Sequence, residues 1–148
     1  MVTMDDVIKQ LDREEPIYEE AAQLGADALP HLVALIQGND PTLAAKATSL
    51  AGVIDAPESA AALEVASQHA IPAVRVAAAA SARNLTSIPR SLAVKLLEDP
   101  DAGVRAWTLK AIEFHRPIGL RVMVEELRQR DPDLGVREQA SRIVDQLP

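Results

Sequence analysis

The stretch Leu92-Ala-Val-Lys-Leu-Leu-Glu-Asp-Pro-Asp-Ala-Gly-Val-Arg-Ala-Trp-Thr-Leu-Lys-Ala-Ile112 carries the reading from which the fold follows. Asp99-Pro100 at its middle is a helix start. An Asp carboxylate accepts from the free N–H groups of a first turn, and proline supplies a preset φ where its missing N–H is no loss. Beyond it, Val104, Thr108, Ala111, Ile112 and His115 recur at the spacing of a helix buried on one face. Before it, Pro89-Arg-Ser-Leu-Ala-Val-Lys-Leu-Leu97 reads as another helix. One hairpin of two helices, A then B, is therefore predicted in a unit of about thirty residues.

Working outward, the same spacing recurs. Asp40-Pro41 and Asp131-Pro132 are followed, six residues after each Asp, by Lys46 and Arg137, as Asp99 is by Arg105. Arg75 fits between them with His69 in the acid's place, and the basic positions lie 29, 30 and 32 residues apart. A weaker first copy has Asp12 and, in the basic slot, Tyr18. The A helices are expected to open at Pro30, Pro57, Pro89 and Pro117. No useful length alternates with period two, so strands are not expected. The reading is a single all-α domain over residues 1–148, with 1–26 a degenerate acidic N-terminal cap repeat and 27–148 four repeats.

The quoted stretch and its echo, Asp131-Pro-Asp-Leu-Gly-Val-Arg-Glu-Gln-Ala-Ser-Arg-Ile143, resemble HEAT repeats of the short variety found in phycobilisome-lyase-like proteins. The resemblance covers residues 27–148 well and 4–26 loosely. It implies a right-handed α-solenoid of about five HEAT-like helical hairpins, with A helices on the convex face and B helices on the concave one. It also implies a structural ladder built from Asp40, Lys46, Arg75, Asp99, Arg105, Asp131 and Arg137, each Asp reaching the basic residue of its own or the next repeat. Asp40, Asp99 and Asp131 are expected to cap their B helices and to pair with Lys46, Arg105 and Arg137.

Composition narrows the function. The chain is 48% hydrophobic but 2% aromatic, since 26 of its 148 residues are alanine and it has one Trp, one Tyr and one Phe. A net charge of −7 argues against nucleic acid and against anionic membranes as partners. Residues 1–27 hold eight acids and two bases, so the charge sits at one end, as a solvated cap or as a means of orienting a partner or a second copy. With no cysteine, a disulfide, a thiolate nucleophile and a Cys-ligated metal are all excluded. No apolar run approaches the ~20 residues of a membrane span, and residues 1–6 have no basic or apolar leader character, so a cytoplasmic protein is expected.

Candidate chemistry is sparse. His31, His69 and His115 lie in different repeats without the spacing of a helical metal site, and are read as structural. The pairs Asp5-Asp6, Glu14-Glu15, Glu19-Glu20 and Glu125-Glu126 diverge by about 100° if helical, which suits a solvated face better than acid–base catalysis. No phosphate-binding glycine loop, nucleophile elbow or His-Glu-x-x-His is present. No metal, cofactor or catalytic residue is assigned.

The function expected is that of a non-enzymatic protein-interaction or scaffold module. It would bind another protein, or a second copy of itself, on the concave B-helix face through Ala47, Leu50, Ile54, Val76, Arg83, Leu109, Lys110 and Glu113. The competing reading is that superhelical curvature or an N-terminal helix buries the apolar members of this set. Trp107 flanks the B-helix stripe, either as a binding anchor or packed into the seam between repeats. The resemblance also implies a lyase- or chaperone-like action on a tetrapyrrole-bearing protein, which the lack of Cys and the scarcity of aromatics disfavour. Acidity disfavours a third option, DNA binding of the HEAT-like kind.

Overall fold

In the computed structural model, which describes residues 1–148, ten α-helices and four short 3-10 turns make up the chain, with no strand. The helices are α1 (Met4–Leu11), α2 (Tyr18–Ala21), α3 (Leu29–Ile36), α4 (Pro41–Val53), α5 (Ser59–Ala66), α6 (Pro72–Ser81), α7 (Arg90–Leu97), α8 (Ala102–His115), α9 (Arg121–Arg130) and α10 (Leu134–Ile143). None is long and apolar enough to cross a membrane.

Side-chain caps open four of the ten helices. Thr3 and Asp6 form a capping box at α1: the Thr3 hydroxyl accepts from the Asp6 N–H at 3.2 Å and the Asp6 carboxylate from the Thr3 N–H at 2.9 Å. Asp40 caps α4 by accepting from the Leu43 N–H, with Pro41 in the first turn. The caps of α8 and α10, however, are Asp101 and Asp133, which accept from Val104 and Val136. Asp99 and Asp131, expected in that role, stand two residues earlier. Each instead accepts from the N–H two residues on, at 2.9 Å, closing an Asx turn ahead of the helix.

A shift of register accompanies this difference. Val104, Thr108, Ala111 and Ile112 are buried in α8, and their counterparts are Val74, Ala78, Ser81 and Ala82 after α6 begins, and Val136, Ala140, Ile143 and Val144 after α10 begins. In α4 the same places are taken by Ala44, Thr48, Ala51 and Gly52. The hydroxyls of Thr48 and Thr108 donate to the carbonyls four residues back, at Ala44 and Val104, which confirms the alignment. Arg105 therefore corresponds to Ala45, and Lys46 lies one position beyond. The gapless superposition of the Asp40 copy on the other two is incorrect by one residue.

Successive helices pack in pairs, α3 on α4, α5 on α6, α7 on α8 and α9 on α10. The second members touch one another in chain order, α4 to α6 to α8 to α10, and the first members α3, α5 and α7 do likewise. The buried apolar residues form one cluster running from Val7 to Leu147. Alanine makes this packing tight, because it fills little volume and loses no side-chain entropy on burial. At the α4–α6 contact, a Cβ added to Gly52 would lie 2.6 Å from the Ser81 Cβ, so a side chain here is sterically excluded.

The proline signals marked the A helices with varying accuracy. Pro30 lies in the first turn of α3 and Pro89 is the N-cap of α7. Pro57 precedes α5 by two residues, and Pro117 belongs to a turn four residues ahead of α9 that Gly119 closes at φ 90°. In the first copy, α2 is a single turn and Tyr18 is its first residue.

Candidate functional site

Two constellations emerge, one holding the helix pairs together and one facing solvent. In the first, Arg105 donates from Nε and Nη2 to the two oxygens of Asp131 at 2.7 and 2.8 Å, while its Nη1 donates to the Asp99 carbonyl at 2.9 Å. Arg75 repeats the pattern one pair earlier: Nε reaches Asp99 at 2.8 Å and Nη1 the His69 carbonyl at 2.9 Å. Arg137 repeats the last part of it, Nη1 donating to the Asp131 carbonyl at 2.6 Å. Arg75 and Arg105 thus tie the start of their own helix to the Asp of the following pair, while Arg137 reaches only the start of its own, so the pairing of Asp99 with Arg105 and of Asp131 with Arg137 through their carboxylates is corrected. His69 serves as an Asp would in the turn, its Nδ1 accepting from the Ile71 N–H at 3.0 Å.

Burial makes this ladder a structural device. Asp99, Arg105 and Asp131 are all buried. Hydrogen bonding to Asp131 raises the Arg105 pKa, burial opposes it and the nearby carboxylates add to the rise, so the guanidinium stays charged. Lys46 stands outside the ladder. Its ammonium reaches back to the carbonyls of Leu11 and Arg13 at 3.2 and 2.7 Å, holding the start of the loop that joins α1 to α2.

The expected binding face divides sharply. Ala47, Leu50, Ile54 and Leu109 are buried in the core, which corrects their assignment to a free surface; Val76 is half-buried. Arg83, Lys110 and Glu113 are exposed. The register explains the division. Ala47, Leu50 and Ile54 correspond to Trp107, Lys110 and Phe114, one edge of the helix. In α4 the N-terminal helices α1 and α2 pack against the helix, whereas in α8 that edge meets water.

On α8, Trp107 is 42% exposed and Phe114 59% exposed. They lie seven residues apart, two turns on one face. The Lys110 ammonium sits 4.4 Å from the Trp107 ring centroid and the Arg83 guanidinium 4.9 Å from that of Phe114. These cation–π contacts are worth about 0.5–1 kcal/mol each at an exposed site and hold both rings in place. Arg83, Lys110, Glu113, Phe114 and Arg116 line a depression of about 540 Å³ beside them. Arg116, the C-cap of α8, has φ 47°, the one non-glycine residue in the left-handed region, at a cost of roughly 1 kcal/mol that glycine would avoid. The individual signals, a lone Trp and a lone Phe at helical spacing, are present in the sequence, but no local pattern separates rings left in water from rings packed under a neighbouring helix.

His31 and His115 donate from Nε2 to the carbonyls of Val2 and Ala82, each at 3.0 Å. A groove of about 900 Å³ beside α7 contains Arg75, Arg90, Ser91 and Asp99. Of these, Arg75 binds Asp99, Arg90 the Gly119 carbonyl, and Ser91 the Glu64 carboxylate. No three His, Asp or Glu side chains approach closely enough to hold a metal ion. Comparison of the sequence with protein-family models and with curated proteins finds no match.

Proposed function

We propose that this chain is a right-handed α-solenoid of HEAT-like hairpins acting as a non-enzymatic protein-interaction module, and that its binding surface is the exposed edge of α8. The chain-order contacts of successive helix pairs and the recurring Arg-to-Asp ties support the solenoid. One observation carries the binding surface. In a chain with one Trp and one Phe, both stand exposed on the same face of one helix, each under a cation. Aromatic and Arg side chains dominate interface energetics, and rings already held in place lose little freedom on binding. The partner is a protein; a chain of net charge −7 suits neither nucleic acid nor an anionic bilayer.

The test is affinity capture from the native host with the wild-type chain and with the Trp107→Ala/Phe114→Ala variant, at matched melting temperature. A protein retained stoichiometrically by the wild type should be lost with the variant. An identical set of bound proteins for both would overturn the assignment of the surface.

A further inference from the structure

We propose that the α8 edge takes the acidic segment 12–20, the loop after α1 together with the first residues of α2, of a second copy of this chain; the proposal rests on the reading of that edge as a binding surface. The loop has the complementary chemistry. Asp12, Glu14, Glu15, Glu19 and Glu20 are all exposed, and the lone cation among them, Arg13, already lies 3.7 Å from Glu20. In their midst Ile17 is 51% exposed, an apolar side chain flanked by carboxylates. The α8 depression offers Arg83, Lys110 and Arg116 against the single carboxylate of Glu113, with the Phe114 ring in its wall and Trp107 alongside. An apolar side chain against the rings and carboxylates against the cations satisfy both surfaces together.

The loop is prepared for this role, because Lys46 holds its start through the Leu11 and Arg13 carbonyls. It is also unable to reach its own patch. The helices α1 and α2 pack on α4, and α6 intervenes before α8, a separation of about two interhelical spacings, or roughly 20 Å. Two copies each of charge −7 repel at long range, but the Debye length is about 8 Å at physiological ionic strength. Contact is then decided locally, by a cationic depression meeting an anionic loop. Because loop and patch are different surfaces, the contact is heterologous and adds copies head to tail.

Sedimentation equilibrium tests this with two charge-reversal variants, Arg83→Glu/Lys110→Glu at the patch and Glu14→Lys/Glu15→Lys at the loop. The wild type should show a mass that rises with concentration past that of a dimer, with association weakened roughly tenfold or more by raising salt from about 0.1 to 0.5 M. Each variant alone should be monomeric. An equimolar mixture should associate again, since the unaltered loop of one variant meets the unaltered patch of the other and the two reversed surfaces are themselves of opposite charge, and Trp107 emission should shift on mixing. Helical circular dichroism and melting temperature check that both variants fold, with Arg83→Gln/Lys110→Gln replacing the first if it does not. A wild type that stays monomeric up to about 1 mM, a mixture that stays monomeric, or variants that associate as the wild type does would each overturn the proposal. If the wild type is monomeric while Trp107-dependent capture of a different protein persists, the second copy is refuted and the interaction surface stands; loss of both refutes both.

Discussion

Replacing Asp131 with alanine should be among the most damaging single changes away from the apolar core. The side chain is buried, accepts from Arg105 Nε and Nη2 at 2.7 and 2.8 Å, and accepts from the Asp133 N–H at 2.9 Å. Truncation removes all three bonds and leaves two guanidinium nitrogens of Arg105 unpaired, since Nη1 alone keeps the Asp99 carbonyl. Removing one partner of a buried ion pair costs about 3–5 kcal/mol; with part of the guanidinium still bonded, about 3–4 kcal/mol is expected. For a chain of this size that corresponds to a fall of roughly 8–12 °C in melting temperature. Two comparators set the scale. Asp145 pairs with Arg121 at 3.5 Å in an exposed position, so Asp145→Ala should cost less than about 0.5 kcal/mol. Asp40 acts as a helix cap without a charge partner, so Asp40→Ala should cost about 1 kcal/mol. Urea unfolding of Arg105→Ala, Asp131→Ala and the double variant closes a thermodynamic cycle, with an expected coupling above about 1.5 kcal/mol. An Asp131→Ala protein melting within about 1 °C of Asp145→Ala, or a coupling indistinguishable from zero, would refute the ladder as a source of stability.

Gly52→Ala should lower stability by about 1–2 kcal/mol in urea unfolding, because overpacking against Ser81 outweighs the helix-propensity gain of about 1 kcal/mol, and Ser81→Gly should recover part of the loss. Leu50→Ala should cost about 2–5 kcal/mol as a core truncation while Trp107→Ala stays within about 1 kcal/mol, so equal losses would contradict the division of the B-helix face. Hydrogen bonds from the backbone and hydroxyl of Thr3 hold the Asp6 carboxyl below its ordinary pKa. Its contribution to α1 is therefore present above the unfolded carboxylate range and lost as pH falls through the folded value; amide exchange in residues 4–11 should rise on acidification, Thr3→Ala should weaken that dependence because the backbone N–H of residue 3 still donates, and Asp6→Asn should remove it. Arg116→Gly should raise stability by about 0.5–1 kcal/mol by relieving the left-handed backbone, measured as a small rise in melting temperature.

Much of the helical organisation was legible because it rests on local chemistry. The stripe Val104, Thr108, Ala111 and Ile112 is buried as its periodicity implied, and His69 is a turn residue whose imidazole substitutes for a carboxylate. What could not be read was which of two aspartates does which task. In Asp99-Pro-Asp101 both are chemically able to cap, and the choice falls on Asp101 because Arg75 of the preceding pair claims Asp99. That competition is between residues 24 apart, beyond any local pattern. Asp40 has no such claimant and caps its own helix, so the identical spacing from Asp to base in the Asp40 copy has a different meaning. Spacing alone cannot distinguish a cap followed by an unrelated lysine from a turn followed by a ladder arginine.

The apolar edge of the second helix in each pair was not legible for a related reason. One helix edge carries Ala47, Leu50 and Ile54 in α4; Ala77, Ala80 and Asn84 at and after α6; Trp107, Lys110 and Phe114 in α8; and Gln139, Arg142 and Gln146 at and after α10. Apolar residues in α4 suggested an exposed sticky surface, yet all three are buried in a helix enclosed by α1, α2, α3, α5 and α6. By the last helix the edge is polar, and Gln139 donates to the Ala106 carbonyl of α8. Only in α8 are large aromatic side chains left in water, and there each ring lies under a cation rather than under another helix. An apolar edge covered by other helices is core, whereas an aromatic edge left in water has its burial still to gain, and that asymmetry is why the proposed binding surface lies on α8 rather than on α4.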